Sequence, residues 1–202
     1  MDLVRLHWRD RVATLTLDRP DRHNALVPEL LDDLVGAIGA ARDEGARALV
    51  LTGAGRSFST GGDVAAFLEH AGSEAALDAY AARTVGTLNT AILALLAFPA
   101  PVIARVHGPV TGGSVGLVLS ADLVAMAGEA FIQPYYSEVG FSPDGGWTAL
   151  LPERIGAAEA IAIQCLNRRI GAEEAVRLGL ASVAVPAGDL DGVVGGWLAA
   201  LA

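Results

Sequence analysis

Three glycine-rich segments of the sequence combine residue types that can stabilise a negative charge. They are Arg56–Val64, Val106–Gly116 and Gly140–Trp147. The first two follow predicted strands and precede predicted helices, so their backbone N–H groups point together and the helix dipoles add partial positive charge. Two such turns that converge would hold an oxyanion, as acyl-transfer or enolate chemistry requires. The competing interpretation is that these glycines only form tight turns.

Ser114 lies in a Gly-x-Ser-x-Gly pattern, Gly112–Gly116, that α/β-hydrolases use to present a nucleophile. That mechanism requires a histidine after the serine in the chain. Every histidine precedes the serine: His7, His23, His70 and His107. The order therefore argues against a serine hydrolase. The histidines are scattered and Cys165 has no cysteine partner, so we expect no metal site.

The composition of the 202 residues excludes several classes of protein. With 52% hydrophobic and 18% charged residues, the chain can bury the core of a single domain. The net charge is −9 and the 14 positive residues, all arginine, form no cluster, so we expect no nucleic-acid binding. Pro99 and Pro101 interrupt the most apolar run, which is too short to span a membrane. A single cysteine and the absence of a secretory signal pattern favour a cytoplasmic protein.

The elements that would position the glycine-rich segments alternate between strands and helices, which predicts an α/β fold. A hairpin is predicted from Leu3–Trp8 and Arg11–Leu17, and Phe131–Gly146 is predicted to be a loop. Further strands are predicted at Arg47–Thr52, Pro101–Val106, Leu123–Ala127 and Val183–Val185. The main helices are predicted at Pro28–Ala41, Ala75–Leu96, Gly113–Ser120, Trp147–Leu151, Glu153–Leu166, Ala172–Leu178 and Leu190–Leu201.

Further motifs accompany the glycine-rich segments in a fixed order along the chain. They are Asp18–Pro20, His23–Leu26, Ser57–Val64, Pro101–Gly113, Ala121–Asp122, Leu150–Gly156 and Ala172–Leu180. Together they resemble the crotonase, or enoyl-CoA hydratase/isomerase, family from about residue 3 to residue 186.

The resemblance implies a spiral of ββα units. One core domain would cover residues 1–187, and residues 188–202 would begin a C-terminal helical segment. Family members continue further, with helices that cover the acyl site and build trimers. The resemblance therefore implies a homo-oligomer, either a trimer or a hexamer. We expect the last helix to leave an apolar surface short of partners, formed by Val193, Val194, Trp197, Leu198 and Leu201.

The resemblance also implies an acyl-CoA thioester as the ligand, with coenzyme A as part of the substrate and no separate cofactor. The backbone N–H groups of Gly62 and Gly113 would form the oxyanion hole and stabilise a thioester enolate. The residues expected along the CoA moiety are Arg22, Ala25, Thr60, Gly61, Asp63 and Val64. Asp63 and Asp122 also fit structural roles as caps of helices or turns.

Departures from the family pattern bear on the reaction. The two glutamates that hydratases of this family use correspond here to Gly116 and Tyr136. Asp144, instead, stands where some family isomerases carry an acid, notably those that resemble 1,2-epoxyphenylacetyl-CoA isomerase. One carboxylate that faces an enolate can remove a proton at one carbon and return it at another. The competing interpretation is that Asp144 caps a helix.

These residues favour an acyl-CoA isomerase in which Asp144 moves the proton. Tyr136, Glu138 and Trp147 are expected to line the substrate pocket. Two alternatives stay open. The first is hydration or thioester hydrolysis that uses Glu138 or Asp144. The second is a non-catalytic protein that binds acyl-CoA.

Overall fold

Two β-sheets and the helices around them form the computed structural model, which describes residues 3–201. The strands are β1 (Val4–Arg9), β2 (Val12–Leu17), β3 (Ala48–Gly53), β4 (Val102–Val106), β5 (Val110–Thr111), β6 (Leu123–Ala127), β7 (Phe131–Gln133), β8 (Ile170–Gly171) and β9 (Val183–Val185). The helices are α1 (Pro28–Asp43), α2 (Val64–His70), α3 (Glu74–Leu96), α4 (Val115–Leu119), α5 (Tyr136–Val139), α6 (Leu150–Ile155), α7 (Ala157–Cys165), α8 (Ala172–Arg177) and α9 (Leu190–Ala200).

The larger sheet has six strands in the order β1-β2-β3-β4-β6-β9. β1 and β2 form an antiparallel hairpin, and each of the other neighbours pairs in parallel. β3 and β4 are mostly apolar and mostly buried, which is typical of parallel strands that are covered on both faces. Since β3 and β4 are adjacent and parallel, the segments that follow them emerge at the same edge of the sheet.

The smaller sheet has the strand order β5-β7-β8. Along the chain, its strands lie between strands of the larger sheet. β4 is followed by β5 and then α4, while β6 is followed by β7 and then α5. Each of these units gives one strand to the larger sheet, one to the smaller sheet, and a helix. This arrangement confirms the predicted α/β fold built as a spiral of ββα units.

The helix α1 shows why these residues form a layer over the sheet. Leu30, Leu31, Leu34 and Ile38 recur at helical spacing and are all buried. Pro28 begins the helix, at a position where a backbone N–H would have no intrahelical acceptor, so its lack of an N–H costs no hydrogen bond. The buried face contacts β1, β2 and the long helix α3. Within residues 3–201, no helix has both the length and the apolar character needed to cross a membrane.

The predicted hairpin is confirmed, but two predictions for later elements are wrong. Residues 131–146 are not a plain loop, because β7 and α5 lie within them. The helix predicted at Glu153–Leu166 is split at Gly156, whose φ of +82° breaks the helical path between α6 and α7.

The prediction that the last helix lacks partners is also wrong for most of its apolar residues. The helix α9 lies against β4 and β6, and Val194 is only 6% exposed. Val193, Trp197 and Leu198 pack against the core from the same helix. Of the five apolar residues expected to lack partners, only Leu201, beyond the end of α9, is exposed. The proposed division of the chain after residue 187 stays a prediction.

The Asn24 side chain joins the segment before α1 to the first glycine-rich segment. It is fully buried, and its amide nitrogen donates hydrogen bonds to the carbonyls of Ala54, Ser57 and Phe58 at 2.9–3.0 Å. Its amide oxygen accepts a hydrogen bond from the Arg19 backbone at 2.9 Å. Its φ of +54° is also one that asparagine tolerates better than most residues. Asn24 therefore holds the loop that leads to Gly62.

We expect Asn24→Ala to lower the free energy of unfolding by about 2–4 kcal/mol, because several buried carbonyls lose their donor. Urea unfolding followed by circular dichroism measures the change. Asn89→Ala is the matched control: Asn89 is exposed on α3, so its loss should change the free energy by about 0.5 kcal/mol or less. Equal values for the two variants would contradict the role given to Asn24.

Candidate active site

The two glycine-rich segments that follow β3 and β4 meet at the edge of the large sheet. Ser59 in the first segment forms a parallel bridge with Val110 in the second. The Ser59 N–H donates to the carbonyl of Pro109 at 3.2 Å, and the Thr111 N–H donates to the carbonyl of Ser59 at 3.1 Å. The convergence expected from the sequence is therefore present, and it depends on the backbone.

Ser114 reinforces this junction instead of acting as a nucleophile. Its hydroxyl is fully buried and donates to the carbonyls of Ser59, at 2.9 Å, and Thr111, at 2.8 Å. Gly61 allows the same close approach, because a β-carbon there would lie 2.6 Å from the Thr111 carbonyl oxygen. Gly61 is also held at a φ of +76°. The Ser114 hydroxyl thus has a structural function.

Gly62 and Gly113 both line the resulting cavity. Gly113 lies in the 3-10 turn Gly112–Ser114 that leads into α4, and amides in a first helical turn have no intrahelical acceptor. In the part of the chain that the structure describes, no hydrogen bond outside the regular elements uses either amide as a donor. Both donors are thus available to an oxygen atom bound in the cavity.

The cavity has a volume of about 420 Å³ and a largely apolar wall. Phe67 from α2, Leu88 from α3 and Phe131 from β7 contribute to this wall. Among the described residues, Asp144 is the only carboxylate that lines the cavity. A ligand there would meet one acidic group and many apolar ones.

Asp144 lies close to Gly113 and shares a short hydrogen bond with Tyr136. A β-carbon built on Gly113 would lie 2.9 Å from Asp144 Oδ1. The Tyr136 hydroxyl donates to the same oxygen at 2.5 Å. Burial raises the pKa of Asp144 above its usual value, although the hydrogen bond from Tyr136 acts in the opposite direction. Burial, together with the neighbouring carboxylate, also raises the pKa of Tyr136, so the phenol stays protonated.

Gly116 cannot be replaced by a glutamate in this backbone arrangement. A β-carbon at Gly116 would lie 2.1 Å from the carbonyl oxygen of Gly145 and 2.5 Å from Ile92 Cδ1. Gly145 in turn packs on Gly113, where its own β-carbon would lie 2.4 Å from the Gly113 carbonyl oxygen. The segment that carries Asp144 therefore occupies the space beside Gly116.

Two residues expected in the substrate pocket lie outside the cavity lining. Trp147 is fully buried behind it, and its indole N–H donates to the carbonyl of Gly112 at 2.8 Å. Glu138 is exposed on α5, and its carboxylate accepts a hydrogen bond from Asn167 at 3.1 Å. For both, the expectation of a lining position is wrong. The one-turn helix α5 directs Tyr136 inward and Glu138 outward, and the Trp147 indole is held behind the lining by its bond to Gly112. Tyr136 does line the cavity.

The residues expected along CoA divide into an open group and a buried group. Thr60 and Val64 line the cavity, and the Arg22 side chain is half exposed. Ala25 and Gly61 are buried and lie outside the lining. The available positions for a CoA moiety in this stretch are therefore Thr60, Val64 and Arg22.

Asp63 has the structural role that the sequence suggested. It caps α2 by accepting a hydrogen bond from the Ala66 N–H at 3.3 Å, and it forms ion pairs with Arg19, at 2.7 Å, and Arg22, at 3.1 Å. Burial alone would raise the pKa of Asp63, but the hydrogen bonds from these three partners together lower it below the usual value. Asp63 thus stays ionised and links the segment that carries Arg19 and Arg22 to α2.

Sequence reasoning missed the contribution of α3 and of His23 to the cavity. Leu88 and Thr84 line it from α3, where helical periodicity marks them only as core residues. His23 also lines it, with Nδ1 at 3.0 Å from the Ser57 hydroxyl. The motif around His23 is part of the family resemblance, but its pairing with Ser57 has no signal in the sequence.

Comparisons with known proteins agree with this geometry. Residues 8–202 match the family model described as enoyl-CoA hydratase/isomerase. The chain is 36% identical over 190 residues to a probable enoyl-CoA hydratase of Rhodobacter capsulatus, covering 93% of this chain and 70% of that protein. It is 36% identical over 184 residues to the probable enoyl-CoA hydratase EchA12 of Mycobacterium tuberculosis, covering 89% of this chain and 64% of that protein.

Solved structures show the same fold. The enoyl-CoA hydratase of Bacillus halodurans superposes with a TM-score of 0.92 at 26% identity, over 98% of this chain and 80% of that one. An enoyl-CoA hydratase from Mycobacterium avium subsp. paratuberculosis gives 0.88 at 27% identity, over 100% of this chain and 78% of that one. The chain therefore belongs to the enoyl-CoA hydratase/isomerase, or crotonase, family. It spans 64–70% of the length of the two sequence relatives named above.

We expect Gly116→Ala to lower the free energy of unfolding by about 1–3 kcal/mol or more, because the methyl group overlaps the Gly145 carbonyl. Gly36→Ala is the control: Gly36 lies in α1, and a methyl group added there would meet no atom within 4 Å, so this variant should gain about 0.5–1 kcal/mol. Urea unfolding of both variants decides the matter. A Gly116→Ala protein as stable as the parent chain would show that the Gly145 segment moves aside freely.

Proposed function

We propose that this protein is an acyl-CoA isomerase in which Asp144 moves a proton along the acyl chain. The observation that carries the proposal is the position of Asp144: it is the only carboxylate among the described lining residues, and it lies beside Gly113. The thioester oxygen would accept hydrogen bonds from the N–H groups of Gly62 and Gly113. Such donors stabilise the charge that develops when the adjacent carbon loses a proton.

The proposed reaction balances without any group beyond the enzyme and its substrate. The Asp144 carboxylate takes a proton from the carbon next to the thioester, and the electron pair of that C–H bond enters the conjugated enolate. The protonated carboxyl then returns the proton to a carbon further along the acyl chain. The double bond moves and the mass of the thioester stays the same. General acid–base assistance of this kind contributes about 10²–10⁴-fold to a rate.

Isomerisation is favoured over hydration because the positions of the two hydratase glutamates lack carboxylates. Gly116 has no room for a side chain, and Tyr136 presents a phenol that stays protonated. The relatives above are named hydratases. Hydration in this family uses two carboxylates to activate water, and the described lining of this cavity does not contain such a pair. Burial of Asp144 also raises its pKa, which makes its ionised form a stronger base toward a carbon acid.

The cavity favours an apolar acyl group. Phe67, Leu88 and Phe131 would contact it, and Phe141 extends the apolar surface to the opening. Ring-bearing acyl esters therefore belong among the test substrates, in keeping with the resemblance to 1,2-epoxyphenylacetyl-CoA isomerase. We place the CoA moiety along Arg22, Thr60 and Val64. A trimer or hexamer stays a prediction, which sedimentation analysis can measure.

Two alternatives make different predictions. Hydration or thioester hydrolysis that uses Glu138 or Asp144 would add water and change the mass of the product. A non-catalytic protein would bind CoA esters and leave them unchanged. The exposed position of Glu138 and its bond to Asn167 argue against its use as a base.

We expect Asp144→Asn to abolish most turnover, at least about 10²-fold, while binding of CoA esters is kept. Mass spectrometry of 2-enoyl-, 3-enoyl- and ring-bearing acyl-CoA esters incubated in D₂O measures deuterium uptake and any added water. Glu138→Gln should turn over like the parent chain. Water addition that depends on Glu138, or normal turnover by Asp144→Asn, would refute the proposed mechanism.

We also expect the activity to fall, on acidification, through an apparent pKa above about 3.9, the usual value for aspartate. The reason is that only the ionised carboxylate accepts a proton, and burial raises the pKa of Asp144. The same shift means that Asp144 opposes folding above its ordinary pKa, so Asp144→Asn should be more stable than the parent chain at pH 7. Profiles of kcat/KM against pH and urea unfolding at pH 7 test the two statements. The fall in kcat/KM at low pH is the acid limb of the profile. An acid limb with an apparent pKa at or below the ordinary aspartate value would contradict both statements.

A further inference from the structure

We infer that Tyr136 is a positioning residue that holds one oxygen of Asp144, so that the other oxygen is the base that meets the substrate. This inference rests on the proposed proton transfer by Asp144. It assigns a function to the phenol hydroxyl at the position where the family resemblance places a hydratase glutamate.

The phenol is fixed from several sides. Tyr136 is 7% exposed and begins the short helix α5. Its ring meets the Trp147 ring edge to face, with centroids 6.2 Å apart. Trp147 is itself anchored by the hydrogen bond from its indole N–H to the Gly112 carbonyl. The hydroxyl therefore reaches Asp144 from a rigid support that also contacts the segment with the oxyanion-hole amide.

The two oxygens of Asp144 have different surroundings. Oδ1 accepts the 2.5 Å hydrogen bond from the Tyr136 hydroxyl and faces Gly113. Across residues 3–201, no side-chain hydrogen bond reaches Oδ2, and Oδ2 is not among the enclosed polar atoms without a partner. Oδ2 is thus the oxygen with accessible surface on a residue that lines the cavity. A single carboxylate oxygen would take the proton and return it.

Other ionisable groups near the cavity do not replace Tyr136. The ionisable side chains in the lining, besides Asp144, are His23, Tyr135 and Tyr136. His23 is bonded to Ser57, and Tyr135 is 40% exposed. Of the residues that the structure describes, α3 and the Gly112–Ser114 turn present Thr84, Val85, Leu88, Gly112 and Gly113 to the cavity, and none of these is charged. Tyr136 is therefore the ionisable side chain that contacts Asp144, whose pKa is raised by burial and lowered by this hydrogen bond.

The hydrogen bond has two separable effects on the proposed reaction. It favours the ionised carboxylate, because the phenol donates to the charged form. It also stops the carboxylate from rotating, so Oδ2 keeps its direction toward the reacting carbons. A merely structural tyrosine would affect folding and leave the acid limb of the pH profile in place.

The test compares Tyr136→Phe with Tyr135→Phe in the proton-transfer assay on the ester that the parent chain turns over. In Tyr136→Phe, the acid limb of kcat/KM should move up by about one to two pH units, since a hydrogen bond to a charged group is lost. kcat on the plateau should fall about tenfold with little change in KM. The acid limb of Tyr135→Phe should stay where it is in the parent chain, because Tyr135 does not contact the carboxylate.

A second measurement covers the case in which Tyr136→Phe does not fold. The three tyrosines of the chain are replaced by 3-fluorotyrosine, whose phenol is a stronger donor of the same shape. The acid limb should then move to lower pH, the opposite direction to Tyr136→Phe. An acid limb that stays in place with 3-fluorotyrosine, or in a folded Tyr136→Phe protein, would overturn the inference.

The outcomes separate this inference from the proposed function. If the parent chain neither isomerises any ester nor exchanges deuterium on it, or Asp144→Asn is fully active, the proton transfer itself is refuted. If Asp144 is required and the acid limb stays in place both in Tyr136→Phe and with 3-fluorotyrosine, only the role of Tyr136 is refuted.

Discussion

The backbone contact between Gly145 and the segment Gly113–Gly116 is the constraint on which the site depends. A β-carbon at Gly116 or Gly145 would overlap backbone atoms of the other segment, so the two segments approach more closely than ordinary residues allow. This contact places Asp144 next to the Gly113 amide and removes the space for a side chain at Gly116. The absence of a side chain at Gly116 and the closeness of Asp144 to Gly113 thus have one cause.

A polar framework of buried groups supports this contact from the other side. Asn24 holds the carbonyls of the first glycine-rich segment, and Ser114 joins that segment to the second one. The Asp63 carboxylate caps the start of α2 and forms ion pairs with Arg19 and Arg22. A buried polar group without a hydrogen-bond partner destabilises the folded protein, so these residues specify one arrangement of the loops. The course of both glycine-rich segments thus depends on side chains that need not touch a ligand.

Much of this arrangement was predictable from local signals. Alternating apolar residues defined the hairpin β1–β2, and glycines after β3 and β4 indicated converging amides, because carboxyl ends of adjacent parallel strands share an edge. The position of Tyr136 in the cavity was also expected. The lining positions predicted for Glu138 and Trp147 were not found. For Glu138, a helix of one turn within a segment predicted as a loop sets which side chains face inward, whereas Trp147 is fully buried behind the lining.

The hydrogen bond between Tyr136 and Asp144 and the exclusion at Gly116 depend on how distant backbone segments pack, and no pattern in the sequence reports that. The crowding at Gly116 also constrains how such sites change over evolution. An acid cannot be introduced there by one substitution, because the neighbouring segment must first take a different course. A shift between one-carboxylate and two-carboxylate chemistry would therefore require coordinated change in the residue at 116 and in the 140–146 loop.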